Sequence, residues 1–146
     1  MAPDILVKLA ENTAEVEGAM ALRRRVFVEE QGVPADQEYD EYDETAIHIV
    51  ALADGEVVGT GRLLYEAAGQ GRIGRMAVDA PWRRKGVGGR ILEALEAEAQ
   101  LRGMARVLLH AQTYVQQFYA RHAYKPEGTV FEEAGIEHVA MWKQLN

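Results

Sequence analysis

The chain has 146 residues, of which 48% are hydrophobic and 27% are charged, and these values are typical of a folded single domain rather than a disordered chain. Its formal net charge of −7 disfavours binding to nucleic acids and to acidic membrane surfaces, because the molecule as a whole repels polyanions. The absence of cysteine excludes disulfide scaffolds, thiolate metal sites and a cysteine nucleophile.

The N-terminal third predicts one strand, one helix and an acidic segment. Residues 5–9 have the pattern of a short strand. Asn12 and Glu15 have the spacing of a capping box, and apolar residues at helical spacing follow, so we predict a helix over about 13–28. The acidic segment, 29–44, contains eight acidic residues and no basic one, and it is either a solvated loop or a surface for a cationic acceptor.

The central part of the chain predicts three strands. Residues 46–53 and 56–65 flank Asp54-Gly55, a dipeptide that favours the tight turn of a β-hairpin. We then expect a glycine-rich loop over 66–71 and a third strand over 72–78, which ends where a proline follows.

The C-terminal part predicts two helices and three strands. Apolar residues first recur at intervals of three and four, and Thr113 and Gln116 later repeat the capping-box spacing. The predicted elements are a helix over about 86–102, a strand over 107–111, a helix over about 114–122 and strands over 129–131 and 137–145. This order predicts an α+β fold, with a central mixed, mostly antiparallel β-sheet flanked by helices.

The clearest functional pattern lies where the predicted long helix begins. Three cations directly precede a glycine-rich first turn, and helix N-termini present free N–H groups and the positive end of the helix dipole. Glycines in that turn let a phosphate approach several main-chain amides. We therefore predict a diphosphate site, the phosphate turn, made of Arg83, Arg84, Lys85, Gly86, Val87, Gly88 and Gly89.

Two other phosphate-binding motifs fail against the same sequence. The Walker A pattern needs Gly-Lys followed by serine or threonine, and that combination is absent from the chain. The pattern G-x-G-x-x-G occurs at 69–74, but there it opens a predicted strand instead of a helix. The four histidines show no spacing typical of metal ligands, so we expect no metal.

With these residues in view, the sequence resembles the GNAT superfamily of N-acetyltransferases. The acetyl-coenzyme A signature of that family is Q/R-x-x-G-x-G/A between its fourth strand and the next helix, and Arg83-x-x-Gly86-x-Gly88 satisfies it. The order of elements also agrees. Within the superfamily the chain is similar to the ElaA/YjcF-like branch from about residue 20 to the end, through the segments 22–31, 38–40, 73–78, 111–112, 118–119 and 135–138.

The resemblance implies acetyl-CoA as the acyl donor and assigns roles to particular residues. It implies a bulged, splayed strand whose backbone amides at Met76, Ala77 and Val78 bind the pantetheine arm and face the thioester carbonyl. It places Tyr119 where the family commonly has a general acid for the departing thiolate, and packing is the alternative role of that tyrosine. His138 is the candidate base, because this branch has a histidine there, and a structural histidine is the alternative.

The same resemblance implies an acceptor side and one departure from the family pattern. Ala123 stands where the family usually has glycine, and a positive φ there would cost about 1 kcal/mol. The residues expected to face the acceptor are Arg23, Arg25, Arg75 and Gln112. Their arginines favour a carboxylate- or phosphate-bearing acceptor, whereas the acidic segment favours a polyamine or a lysine-rich peptide, and the sequence leaves both open.

We therefore expect an N-acetyltransferase that moves an acetyl group from acetyl-CoA directly to a primary amine of a small molecule or peptide. The alternative is a non-catalytic acyl-CoA-binding sensor or interaction module. Nucleic-acid and membrane partners are not expected, and the resemblance allows a homodimer. Because residues 1–10 lack a signal-like apolar segment and no stretch approaches about 18 apolar residues, we expect a cytoplasmic protein whose residues 1–146 form one domain.

Overall fold

Seven strands form one sheet in the computed structural model, which describes residues 4–145. They are β1 (Ile5–Leu9), β2 (Ile47–Ala53), β3 (Glu56–Ala67), β4 (Gln70–Val78), β5 (Arg106–Gln112), β6 (Lys125–Glu133) and β7 (Ile136–Gln144). Their spatial order is β1-β2-β3-β4-β5-β7-β6, and all neighbours are antiparallel except β4 and β5. The predicted mixed, mostly antiparallel sheet flanked by helices is confirmed.

The helices differ in length and in type. They are α1 (Thr13–Arg23), α2 (Ala35–Glu38), α3 (Val87–Leu101) and α4 (Gln116–Arg121), with short 3-10 segments at Glu41–Glu44, Ala80–Trp82 and Thr113–Val115. The first helix continues as a π-helical turn over Arg24–Glu30, so it is two residues longer than predicted and wider at its end. Within the described residues, no helix has the length and apolar character needed to cross a membrane.

Local sequence signals account for most element boundaries, with two clear exceptions: the second hairpin, and β6, which spans Lys125–Glu133 where a strand over 129–131 was expected. Asp54 and Gly55 have φ of 50° and 81°, as the left-handed turn of a tight hairpin requires. The glycine-rich loop predicted over 66–71 is wrong, because β3 continues to Ala67 and β4 begins at Gln70. Gly69, at φ 73°, lets two residues close this second hairpin, so no longer loop is needed.

The long helix α3 packs closely on one face of the sheet because β3 offers it two glycines. A Cβ at Gly59 would lie 2.7 Å from Ile91, and one at Gly61 would lie 2.8 Å from Leu95. The side chains of Ile91 and Leu95 are fully buried at these contacts. The opposite face is covered by α1 and its π-helical turn, so the sheet is buried between two helical layers.

Helix α4 ends in a left-handed residue that is not glycine. Ala123 has φ of 71°, and its amide donates to the carbonyl of Ala120 at 3.1 Å. The amide of Tyr124 donates to the carbonyl of Tyr119, also at 3.1 Å, which is the bond pattern of a Schellman motif. The strain expected from the sequence at Ala123 is therefore present.

We predict that Ala123→Gly stabilises the protein by about 1 kcal/mol, because glycine adopts a positive φ without a Cβ clash. For a chain of this length, that is a rise in Tm of about 2–4 °C. Ala120→Gly is the matched control, because the same change inside α4 should destabilise by about 0.5–1 kcal/mol. Thermal unfolding followed by circular dichroism measures both, and a loss of stability in Ala123→Gly would contradict the prediction.

Candidate active site

A gap opens in the middle of the sheet between β4 and β5. The parallel pairing of these strands extends only from Gln70 with Arg106 to Ile73 with Leu109. Beyond it, β4 contains one extra residue relative to β3, since Thr60 pairs with Ala77 and Arg62 with Gly74. Arg75 lies in this bulge with φ of 52°. The bulge bends β4 away from β5, and we call the space between their C-terminal ends the β4–β5 gap.

The backbone beyond the bulge presents one edge to the β4–β5 gap. The amide of Asp79 donates to the carbonyl of Val58 on β3 at 2.8 Å. Because amides alternate between the two edges of a strand, the Val78 amide points into the gap while that of Ala77 points toward β3. The Met76 side chain lies on the α3 side of the sheet, and that of Ala77 packs on the α1 side against Leu22.

The phosphate turn joins β4 to α3 and shows a different role for each glycine. Gly86 caps α3 with φ of 82°, and a Cβ there would meet nothing within 4 Å. A Cβ at Gly89 would lie 3.3 Å from the His122 ring, and one at Gly88 would lie 3.5 Å from Phe118. Gly88 and Gly89 therefore let α3 approach α4, while Gly86 leaves the first turn open to a ligand.

Arg83 crosses the entrance between the phosphate turn and the end of β4. Its Nε donates to the carbonyl of Val78 at 2.8 Å. Its Nη2 contacts both carboxylate oxygens of Glu30, at 3.1 and 2.9 Å, at the end of the π-helical turn. The other two cations of the turn are exposed, and the ammonium of Lys85 lies 5.5 Å from the centre of the Trp82 ring.

Tyr119 of α4 reaches the gap from the α3 side. Its hydroxyl lies 3.7 Å from the sulfur of Met76, and its ring is held by edge contacts with Phe118 and Tyr124, whose centroids are 5.0 and 5.9 Å away. Burial of the phenol, with a smaller contribution from Tyr114, raises the pKa of Tyr119 to about 12. The hydroxyl therefore keeps its proton at neutral pH, as a proton donor must.

His138 lies on the opposite face of the sheet from Tyr119. Alternate residues of β5, including Leu109 and Ala111, are buried against α3, so Gln112 points to the α1 side, and His138 is its cross-strand partner. The Nδ1 of His138 is 2.7 Å from the carbonyl of Ile136. Because a carbonyl only accepts, Nδ1 carries the hydrogen, and Nε2 is the nitrogen that can take a proton.

Glu133 connects His138 to a second histidine. One carboxylate oxygen of Glu133 is 3.8 Å from His138 Nε2, and the other is 3.1 Å from His110 Nδ1, which also lies 2.7 Å from Nη2 of Arg72. The hydrogen bond with His110 lowers the pKa of Glu133, although burial opposes it. Sequence reasoning missed Glu133, because no motif or spacing distinguishes it from the other acids of β6.

The structure does not bring Arg23 to the acceptor side, and the expectation for this residue needs correction. Arg23 is only 1% exposed. Its guanidinium binds the carboxylate of Glu38 at 2.8 Å and that of Asp43 at 2.6 Å. Arg62 on β3 joins them by bonds of 2.8 Å to both Asp40 and Asp43. A buried guanidinium with two carboxylate partners has no free face for an acceptor.

Part of the acidic segment therefore has a role that neither sequence interpretation foresaw. Glu38 is 2% exposed, and with Asp40 and Asp43 it neutralises internal arginines rather than facing solvent or an acceptor. Arg75 belongs to the same charge network, since it contacts Glu38 at 3.4 Å and Asp40 at 3.2 Å. The charge network consists of Arg23, Glu38, Asp40, Asp43, Arg62 and Arg75.

The two remaining acceptor-side residues lie near the ends of the gap. Arg25 is half-exposed, and its guanidinium is 3.6 Å from the carboxylate of Asp79. Gln112 donates to the side-chain oxygen of Gln31 at 2.9 Å, and Gln31 in turn donates to the Tyr114 hydroxyl at 3.2 Å. Gln31 thus joins the end of the π-helical turn to β5, a contact between residues too distant in sequence to be predicted.

Comparison with known proteins identifies the family. Residues 10–145 match the model of the acetyltransferase (GNAT) domain. The chain belongs to the GNAT family. It is 38% identical over 136 residues to the uncharacterized N-acetyltransferase YjcF of Bacillus subtilis, covering 92% of this chain and 96% of that one.

Solved structures of this GNAT family share the fold. An acyl-CoA N-acyltransferase from Pseudomonas aeruginosa has a TM-score of 0.83 at 32% identity, and Escherichia coli ElaA has 0.84 at 26%, each over 97% of this chain and 99% of theirs. An aminoglycoside 6′-N-acetyltransferase complexed with coenzyme A, at 19% identity and a TM-score of 0.78, has the same fold. The protein is an acetyl-CoA-dependent acyltransferase of the ElaA/YjcF-like branch. In residues 4–145, no cluster of histidine, aspartate or glutamate side chains suits a metal ion.

The charge network predicts a specific dependence of stability on pH. Burial opposes ionisation of Asp43, but bonds from Arg23 and Arg62 hold the pKa of its carboxyl well below the usual range. A carboxyl whose pKa is lower in the folded state stabilises the fold above its unfolded pKa, and loses that contribution as the pH falls through its folded pKa. The stabilisation by Asp43 is therefore complete at pH 7 and declines below about pH 4.

We expect Asp43→Asn to lose about 2–4 kcal/mol of stability at pH 7, because the buried guanidinium groups then have less negative charge to compensate them. Its free energy of unfolding should fall less than that of the wild type between pH 5 and pH 3. Asp36→Asn, an exposed acid of the same segment, should change stability by less than about 0.5 kcal/mol. Urea unfolding across this pH range tests the prediction, and parallel curves for wild type and Asp43→Asn would refute it.

Proposed function

We propose that this protein transfers an acetyl group from acetyl-CoA directly to a primary amine of a small molecule or peptide. The observation that supports this most is the β4–β5 gap, which has a protonated tyrosine on one face of the sheet and, on the other face, a histidine whose Nε2 can take a proton. A main-chain amide and the phosphate turn lie along the same opening. We also propose that residues 1–146 act as one domain.

The residues along the gap fit the parts of the donor in order. The amides of the first turn of α3, at Gly86 and beyond, would bind the diphosphate, with Arg84 and Lys85 adding positive charge. The Val78 amide would hold the pantetheine arm along the edge of β4. Acetyl-CoA supplies an activated acetyl thioester. A backbone amide aimed at the carbonyl oxygen stabilises the negative charge that develops there.

The two proton transfers of the reaction would fall to residues on opposite faces of the sheet. An amine that arrives protonated first gives up one proton to solvent, because only the neutral amine can attack. A bond then forms between the amine nitrogen and the acetyl carbon while the carbon–sulfur bond breaks. The proton that the nitrogen loses on forming this bond passes to Nε2 of His138, directly or through a water molecule. The phenol of Tyr119 gives its proton to the sulfur. Because the chain has no cysteine, the acetyl group cannot pass through an acetylated cysteine of the enzyme, and we propose that it moves directly from acetyl-CoA to the amine.

The acceptor would enter from the α1 side, where Gln112, Arg25 and Arg75 border the gap. The side chain of Arg75 is 27% exposed although it contacts Asp40, so it would still be accessible to an acceptor. Glu133 places a negative charge near His138, which favours the approach of a protonated amine. These charges support a primary amine as acceptor and do not select between a small molecule and a peptide.

Tyr119→Phe tests the donor side of this proposal. Wild-type protein should melt at a higher temperature with acetyl-CoA than without it, and should release free thiol with at least one member of a panel of primary amines. We expect Tyr119→Phe to lower kcat by about 10²- to 10⁴-fold with that amine, because the proton donor is gone. The Kd for coenzyme A, measured by calorimetry, should stay within about threefold. Cofactor binding by the wild type without thiol release for any amine would favour the sensor.

His138→Ala and His138→Gln together test the acceptor side. We expect both to lose turnover by about 10²-fold or more while Kd for acetyl-CoA is unchanged, since neither side chain can take a proton at neutral pH. Glutamine can still donate a hydrogen bond to the carbonyl of Ile136, so it would rescue a structural role. Steady-state thiol release provides the measurement, and activity restored by glutamine would remove His138 from the proton transfer.

A further inference from the structure

One cation of the phosphate turn already has an anionic partner. Arg83 contacts both oxygens of Glu30, at 2.9 and 3.1 Å, and the two side chains are 41% and 40% exposed. A single nitrogen of the guanidinium, Nη2, faces both carboxylate oxygens, and it is one of the donors that would bind a diphosphate. Within residues 4–145, neither Arg84 nor Lys85 forms an ion pair with a carboxylate. Arg83 is therefore the cation whose availability depends on an internal anion.

The same side chain also occupies the edge of β4. The Nε of Arg83 donates to the carbonyl of Val78 at 2.8 Å, and that carbonyl points into the β4–β5 gap together with the Val78 amide. A pantetheine arm lying along this edge would compete for the same space. Both known contacts of the Arg83 guanidinium thus lie in the proposed path of the donor.

We propose that Glu30 is an internal competitor of the donor, and that Arg83 leaves Glu30 to bind the diphosphate of acetyl-CoA. This inference rests on the proposed function. Glu30 then sets the donor affinity, because part of the attraction between Arg83 and the diphosphate is used to break the existing ion pair. A thioester without a diphosphate cannot replace the carboxylate, so the exchange favours coenzyme A over shorter pantetheine donors.

The position of Glu30 extends the effect to the acceptor side. Glu30 ends the π-helical turn, and the next residue, Gln31, bonds with Gln112 and Tyr114 beside the acceptor entrance. The exchange of Arg83 removes one of the contacts that hold this turn against the phosphate turn. Arg25, which also belongs to the π-helical turn, contacts Asp79 just after β4 at 3.6 Å, and the exchange leaves this ion pair in place.

Calorimetric titration with coenzyme A separates this competition from a general effect of charge. We expect Glu30→Gln to bind coenzyme A about two- to fivefold more tightly than wild type, which is the range of an exposed ion pair. Glu29→Gln is the matched control, because Glu29 is the adjacent acid, carries the same charge and contacts Arg24 at 3.8 Å instead of Arg83. The affinity of Glu29→Gln for coenzyme A should rise by less than about 1.5-fold.

A double-mutant cycle shows whether the gain passes through Arg83. We expect Arg83→Gln to weaken the binding of coenzyme A. When Glu30→Gln is added to Arg83→Gln, the affinity for coenzyme A should rise by no more than the small gain that Glu29→Gln gives. 3′-Dephospho-coenzyme A should show the same gain as coenzyme A in Glu30→Gln, because it keeps the diphosphate.

The outcomes distinguish this inference from the proposed function. If wild type binds coenzyme A but Glu30→Gln matches Glu29→Gln, or if the gain persists in the Arg83→Gln background, the competition is refuted and the function stands. If neither wild type nor any variant binds coenzyme A, the proposed function is refuted together with the inference.

Discussion

The buried contact of Arg23 with Glu38 and Asp43 supports the rest of the site. It fastens the acidic segment to α1, and through Arg62 it reaches β3. Glu38 and Asp40 then contact Arg75, which is the residue with positive φ in the β4 bulge. The bulge that opens the gap is therefore held by charges as well as by strand pairing. Removing one member of such a buried set leaves the others without compensation, which is far more costly than losing a surface pair.

The sheet separates the two halves of the proposed chemistry. Tyr119 approaches the gap from the layer of α3 and α4, whereas His138 lies on the face toward α1. A donor and an acceptor that enter from opposite faces can meet only where β4 and β5 part. The geometry thus favours direct transfer, because the attacking and departing atoms have separate proton partners that do not compete for one position.

Periodicity and turn chemistry predicted much of the fold, while long-range charge pairing escaped prediction. The strands and α3 followed from alternation and helical spacing, and the fold class was confirmed. The glycine-rich turn before α3 could be predicted because its residues are adjacent in sequence, and its binding of a diphosphate stays a prediction. The charge network joins residues that are 15 or more positions apart, such as Arg23 with Glu38, so no local pattern shows that an acid is buried. The π-helical turn likewise depends on tertiary packing, and propensity gives no signal for it.

The parallel pairing of β4 with β5 is a short seam. Four residue pairs, from Gln70 with Arg106 to Ile73 with Leu109, are the ladder that connects β1–β4 to β5–β7. Each part of the sheet is a continuous antiparallel unit, and the two are additionally bridged by α3. A small rotation about this seam would change the width of the opening at the far end while every antiparallel ladder stays intact. The relative orientation of the two antiparallel units about these four pairs therefore sets the width of the opening.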